Sequence, residues 1–277
     1  INPALTGNTE QLRVICNWRK QWLSVPGAFK TYALSADYNF KKIKSGVGIQ
    51  LMRDKAGSGD LRFINIAGLY SYQIDLARLH HVKAGLKASY TIRDVDYSRF
   101  VFGDQIVRND GSGTNEQFAS GKRSFPDFST GGVYYYSNRL WIGSALHHLT
   151  RPNESVTGIK TRLPMQFTLH GGYHIALKKN VKKHIVDALI PVINYKQQQD
   201  WDQLDAGMYY QKSIMMIGVW YRGIPVFKAY KPGYSNHDAL SAMAGIEAGN
   251  FRFGYSYDFT ISKLFGNTRG AHEISII

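Results

Sequence analysis

The 277-residue chain has one cysteine, Cys16, so neither an internal disulfide framework nor a cysteine-built zinc site can organise it. A single buried thiol is the expectation for that residue. Acidic residues are scarce: 20 Asp and Glu stand against 34 Lys and Arg, for a net charge of +14. Such a balance points to nucleic acid, anionic lipid or an acidic protein partner. Nucleic-acid binders gather their charge in a helix, tail or stripe, whereas here it is spread over turns and alternate strand positions, so no nucleic-acid partner is expected. Long apolar runs are missing too. The densest short run, 188–193, is broken by Pro191, and nothing approaches the ~18 apolar residues of a membrane helix. That excludes helical spans but not a membrane barrel, whose strands carry a much weaker hydropathy signal. The chain starts at Ile1 rather than Met, from which processed or missing N-terminal residues are expected.

Catalytic signatures are also lacking. There is no Gly-x-Ser-x-Gly elbow, no phosphate-binding loop and no dinucleotide fingerprint, and no nucleophile is placed beside a base. The chain reads as a non-enzyme without cofactor or metal. Asp200, Asp202 and Asp205 resemble a calcium loop in spacing, but the central Gly and terminal Glu are absent. His170 and His174 share a strand parity yet stand about 13 Å apart along a strand, too far for one metal. The neighbours His80–His81 and His147–His148 point to opposite faces.

What the sequence has is alternation. In NFRFGYSYDFTISKLF, residues 250–265, Phe251, Phe253, Tyr255, Tyr257, Phe259 and Ile261 fall on one parity, and Arg252, Gly254, Ser256, Asp258, Thr260 and Ser262 on the other. A strand sends alternate side chains to opposite faces, so one face is aromatic and one polar. A soluble sandwich would bury the aromatic face; a membrane barrel would turn it to lipid. Alternation alone leaves both open.

Similar segments recur at about fourteen places, near 12–23, 29–40, 46–53, 62–76, 81–94, 128–136, 139–149, 164–178, 184–197, 203–211, 214–222, 238–248, 250–262 and 271–277. Each is near the length of a tilted membrane-crossing strand. The connections decide more. After even-numbered strands they are short: 41–45, 77–80, 137–138, 179–183, 212–213 and 249. After odd-numbered strands most are long: 95–127, 150–163, 198–202, 223–237 and 263–270, with 24–28 short and the Gly-rich 108–121 inside the longest. Short turns on one rim and long loops on the other, with an even strand number, match an outer-membrane barrel. No linker divides the chain, so 1–277 is expected to be one barrel domain, with 1–11 a periplasmic or lumenal segment. Arg19, Lys83, Lys87, Arg93, His170, His174, Arg252 and Asp258 then face the lumen and are candidates for binding a partner there. In a basic lumen Asp258 should pair with an Arg or Lys. Two short turns are basic: Lys41, Lys42 and Lys44 in one, Lys179, Lys182 and Lys183 in the other. Clustered lysines on one rim make a field that an acidic periplasmic partner or peptidoglycan-associated protein can follow.

Particular phrases carry a resemblance. INPALTG at the start, RKQW at 19–22, FGDQI at 102–106, FPDFSTGGVYYY at 125–136, WIGSALHHLTRPN at 141–153, NYKQQQDWDQLDAGMYY at 194–210, GVWYRG at 218–223 and the closing GYSYDFTISKL…GAHEISI resemble the PorP/SprF family, in order and from end to end. The resemblance implies an all-β, antiparallel up-and-down barrel in the bacterial outer membrane, part of the type IX secretion and gliding machinery of Bacteroidetes. It implies that INPA lies shortly after signal-peptide cleavage. SprF-like members hold the C-terminal domain of a secreted adhesin at the cell surface and support its export. PorP-like members link the outer membrane to the periplasmic ring complex. The expected role is SprF-like, with the PorP-like role and a FadL-like solute channel as alternatives. The family offers no catalytic residue to carry over.

Overall fold

The structure, a computed structural model, describes residues 1–57, 59–109, 113–116, 121–137, 139–179, 185–224, 229–231, 234–262 and 266–277. The alternating segments form strands β1 (Arg13–Gln21), β2 (Phe29–Phe40), β3 (Ser45–Ala56), β4 (Leu61–Ala77), β5 (His80–Asp94), β6 (Lys122–Tyr136), β7 (Leu140–His147), β8 (Gln166–Tyr173), β9 (Ile175–Lys179), β10 (Ile185–Gln198), β11 (Trp201–Lys212) and β12 (Met215–Gly223). They continue as β13 (Ala229–Lys231), β14 (Tyr234–Ser235), β15 (His237–Ala248), β16 (Phe251–Thr260) and β17 (Ala271–Ile276). Strands β8 and β9 are two parts of one wall strand, both paired to β10, and β13–β14 is a small hairpin in the loop after β12. The remainder gives a wall of fourteen antiparallel strands in which β17 pairs with β1 and β11 with β10, so the sheet closes without an edge. Closure gives each wall strand a partner on both sides, apart from β9, which among the described residues pairs with β10 alone, and so meets the demand of an apolar bilayer for paired backbone.

The faces separate as the alternation requires. On β16, Phe251, Phe253, Tyr255 and Phe259 are exposed on the outer wall, while Asp258 is buried in the lumen. Matching outward rows follow on the neighbours, for example Ile276, Cys16, Leu34, Leu51 and Ile66 across β17, β1, β2, β3 and β4. Aromatics gather outside near the short-turn rim, with Tyr38 edge-on to Phe40 at 4.8 Å between ring centroids. Cys16 therefore faces lipid, not a core as its residue type suggested, because its parity on β1 is the outward one.

Loop lengths segregate between rims. One rim has 41–44, 78–79, 137–139, 213–214 and 249–250; the other has 22–28, 95–121 and 148–165. Three boundaries differ from the sequence reading. Strand β6 starts at Lys122 rather than 128, since Pro126 lies inside a strand, paired to Tyr90, where proline usually marks a loop. The connection expected at 198–202 is only the two-residue turn Gln199–Asp200, because β10 and β11 keep pairing as far as Gln198 and Trp201. The strand expected over 164–178 is interrupted at His174, where the ladder to β10 lapses between Ile175–Leu189 and Gly172–Val192. Pro191 lies in that gap and has no N–H to give to a neighbouring strand.

Candidate functional site: a half-plugged lumen

INPALTG does not stay in the periplasm. Residues Asn2–Gly7 enter the lumen, with a 3-10 turn at Pro3–Leu5 against β4, β5 and β6. The Asn2 side chain starts the turn by accepting from the Ala4 N–H at 2.9 Å. Its amide nitrogen donates to the carbonyls of Gly132 (3.0 Å) and Ser144 (2.9 Å) and lies 3.1 Å from His170 Nε2. The Lys83 ammonium donates to the carbonyl oxygens of Thr6 (2.8 Å) and Gly7 (2.9 Å), and Ser71 donates to Thr6 at 2.7 Å. Asp37 accepts from the Gly7 N–H and is itself clamped by Arg13, Nε to Oδ1 at 2.8 Å. Ala4 has no accessible surface and Lys83 only 4%. A lysine so enclosed needs partners for its charge, and the two plug carbonyls supply them. The wall makes room with glycine: a β-carbon on Gly85 would collide with Pro3 and Ala4, and one on Gly46 with the backbone of Thr6.

The opposite half of the lumen is a cavity of about 760 Å³. Near the long-loop rim an ionic belt crosses it. Arg19 on β1 donates to Asp258 on β16 at 2.6 Å and to Glu273 on β17 at 3.1 Å. Arg222 on β12 reaches Asp258 at 3.3 Å and Asp205 on β11 at 3.1 Å, and Lys196 on β10 stands 3.7 Å from Asp205. Ser241 and Asn194 add neutral donors, at 2.5 Å to Asp258 and 3.1 Å to Asp205. Asp238, half exposed on β15, stands 3.6 Å from Arg222, so three cations meet four carboxylates. Between the belt and the short-turn rim the lining changes to Trp141, Tyr209, Trp220, Met216 and Met243, with Ile1 and Leu5 of the plug side.

The candidates read from sequence divide between these halves. Arg19, Asp258, Arg252 and His170 line the cavity, and Asp258 has the arginine partner expected of it. His170 is also engaged by Asn2 of the plug. Lys83 grips the plug, Lys87 donates to Gln50 at 2.9 Å, and Arg93 pairs with Glu154 of the loop after β7. His174 does not share a regular strand with His170; it occupies the break between β8 and β9, and its Nδ1 is buried without a partner among the described residues. Arg252 stands at the short-turn rim, 3.0 Å from Glu247, with both side chains well exposed. Of the basic turns, Lys41 pairs with Glu10 at 3.1 Å and Lys44 with Asp75 at 2.7 Å, while Lys42 has no ion pair among the described residues. Lys182, Lys183 and the side chain of Lys179 lie outside the described residues. The calcium-like spacing does not make a cluster, because Asp205 faces the lumen and Asp202 the outer wall. Arg222, Glu273 and the lumenal role of Asp205 were missed, as were the contacts of the plug, whose place in the lumen was one of the two expected for 1–11. Parity marks the first three as lumenal, and glycines at lumen parity on neighbouring strands are the signal for a backbone lying against the wall.

Solved structures with this fold are outer-membrane barrels. The toluene transporter TbuX of Ralstonia pickettii matches with a TM-score of 0.59 at 12% identity, over 99% of this chain and 90% of that one. The CymD monoaromatic hydrocarbon channel matches at 0.53 and 10% identity, over 100% and 89%, and a TodX deltaS2S3 mutant monoaromatic hydrocarbon channel at 0.52 and 12%, over 99% and 91%. At such identities the likeness is one of fold. No curated protein matches the chain. The family model described as type IX secretion system membrane protein PorP/SprF covers residues 1–277, and the chain belongs to that outer-membrane family.

Proposed function

We propose that this barrel is a SprF-like partner of a secreted adhesin, receiving a segment of the adhesin's C-terminal domain, supporting its export and retaining it at the cell surface. The observation that carries the reading is the half-filled lumen. Asn2–Gly7 occupies one side, and the remaining 760 Å³ has aromatic walls under a belt of ion pairs. A space of that size takes a short extended segment, not a folded domain. Trp141, Tyr209 and Trp220 offer flat apolar surface to side chains. Arg19 and Arg222 line the same cavity, and their guanidiniums are the donors that a carboxylate on the incoming chain would meet. The test is retention in cells that lack the barrel or carry Ser256→Trp, which puts a large ring into the cavity. Loss of the adhesin from the surface with the barrel still assembled is expected; an adhesin that stays attached overturns the reading.

A FadL-like solute channel is the second reading. It is favoured by the apolar part of the cavity and by a fold shared with hydrocarbon channels and a toluene transporter. It requires a path past the plug and the belt, so it predicts conductance or hydrocarbon flux in planar bilayers. Closed recordings without flux remove it. The PorP-like reading predicts co-purification with periplasmic ring components.

A further inference from the structure

On the outer wall, next to the long-loop rim, register sets a row of cations side by side. Lys20 on β1 is opposite Lys30 on β2, Lys30 opposite Lys55 on β3, and Lys55 opposite Arg62 on β4. Arg53 stands one outward position below Lys55, opposite Tyr32. Side chains directly opposed on neighbouring strands are about 5 Å apart at Cβ, and like charges there destabilise a sheet. The protein relieves part of the row itself. Asp60, almost fully buried in the turn after β3, pairs with Lys55 and with Arg62 at 2.9 Å. Lys20, Lys30 and Arg53 have no ion pair among the described residues.

The row belongs to one sector. Along β7, β8, β10, β11, β12, β15 and β16 the outward strand positions of the same rim carry no Lys or Arg; Phe167, Tyr195, Leu204 and Tyr221 stand there instead. A belt that only met the average headgroup region would run all the way round.

Directly below the cations the wall is concave. A groove of about 550 Å³ runs over β17, β1, β2, β3 and β4 with Arg53 and Trp18 at its upper edge. Cys16 makes the hollow, being short where its row neighbours Ile276 and Leu34 are long. At roughly 3.3 Å per residue the groove row at Cys16 lies about 13 Å along the tilted strand from Lys20, toward the membrane middle. Cations at the rim over an apolar trough match an amphiphile with an anionic head and an acyl tail.

We propose that this sector binds a phosphorylated glycolipid of the outer leaflet, of the lipid A class, with a phosphate held by Lys20, Lys30 and Arg53 and an acyl chain in the Cys16 groove. Charge complementarity selects the head, and the long-loop rim places it in the leaflet facing outward. Phosphate is the fitting anion because three separate cations can share its oxygens.

The test is native mass spectrometry of the full barrel in detergent, titrated in parallel with bisphosphorylated lipid A, the same lipid without its phosphates, and phosphatidylglycerol. Bisphosphorylated lipid A is expected to bind with preference over both. K20A/K30A/R53A should weaken it by about tenfold or more, given what each basic residue adds at an anionic lipid surface. Cys16→Trp, which fills the groove from the lipid side, should weaken it without removing a cation, while Lys42→Ala at the other rim should not. Each variant is first checked for the heat-modifiable gel shift of a folded barrel. Undiminished binding by both the triple variant and Cys16→Trp overturns the proposal, as does equal binding of phosphatidylglycerol or of the dephosphorylated lipid.

Discussion

The Lys83 ammonium on β5 holds the carbonyl oxygens of Thr6 and Gly7, at 2.8 and 2.9 Å, and so ties the N-terminal segment into the barrel lumen. The contact explains an otherwise costly residue. A nearly inaccessible lysine in a barrel needs acceptors, and the plug backbone provides them where the wall does not. Replacing Lys83 by Met keeps much of its volume and removes the grip. Because the plug also depends on a close approach to Gly85, Gly85→Val should displace it more completely than Lys83→Met. Both variants are expected to raise ion conductance in planar bilayers above the native level, Gly85→Val the more. Unchanged conductance in both would mean that the plug does not limit the path.

Asp258 is the centre of the belt, accepting from Arg19, Arg222 and Ser241. Asp258→Asn leaves two largely enclosed guanidiniums, Arg19 with Glu273 and Arg222 with Asp205 and the more exposed Asp238. Removing one partner from such a network costs about 3 kcal/mol, mostly through the charge left unmatched. Asp258→Asn combined with Arg222→Met removes one charge of each sign, and the pair should be less destabilising than the sum of the single changes. Urea unfolding of the barrel in lipid vesicles measures both; strict additivity would show that Asp258 and Arg222 are not coupled.

Much of this was legible in residues whose environment is set by parity. Phe251, Phe253 and Tyr255 face lipid and Asp258 the lumen because a strand permits nothing else once one face is fixed. The segregation of short and long connections similarly follows from barrel topology. The sequence left 1–11 between periplasm and lumen, and the plug's contacts were not legible, since INPALTG has no period and its partners are scattered over β2–β8: Asp37, Ser71, Lys83 and His170 come together only when the wall closes. Proline has no single meaning in this wall. Pro126 sits within β6, while Pro191 coincides with the break that splits β8 from β9. The belt lay between. Arg19 and Asp258 were marked as lumenal, but their pairing across β17 depends on closure between the first and last strands, which no local pattern encodes.

Asp60 gives a pH prediction outside the membrane-spanning wall. The Lys55 ammonium beside it, and then the Arg62 guanidinium, hold its carboxyl at about 2, below the usual carboxylate range. A depressed carboxylate favours the folded loop at every pH above its unfolded value of about 3.9, and that contribution is lost as pH falls through the folded value. The amides of Gly57 and Asp60, hydrogen-bonded to the carbonyls of Gly27 and Gly57, should therefore keep their exchange protection from pH 7 to pH 4 and lose it only as the pH nears 2. Asp60→Asn should remove the pH dependence. Protection that already fades between pH 5 and 4 would contradict the assigned ion pairs.

The basic short-turn rim separates the two secretion roles. Lys41 and Lys44 spend their charge locally on Glu10 and Asp75, which leaves Lys42 as the outward-directed cation of that turn. If the rim docks a periplasmic acidic partner, Lys42→Glu should weaken capture by itself, and the neutralised set Lys41, Lys42, Lys44, Lys179, Lys182 and Lys183 should abolish it. The effect should shrink in high salt, because exposed charges are screened within about 10 Å at 0.1 M. The measurement is affinity purification from detergent-solubilised membranes, with ring components and adhesin quantified together. Under the SprF-like reading the rim variants retain the adhesin and change ring capture little, whereas Ser256→Trp loses the adhesin. The reverse pattern, ring components lost with the rim lysines and adhesin indifferent to Ser256→Trp, would move this barrel to the PorP-like role.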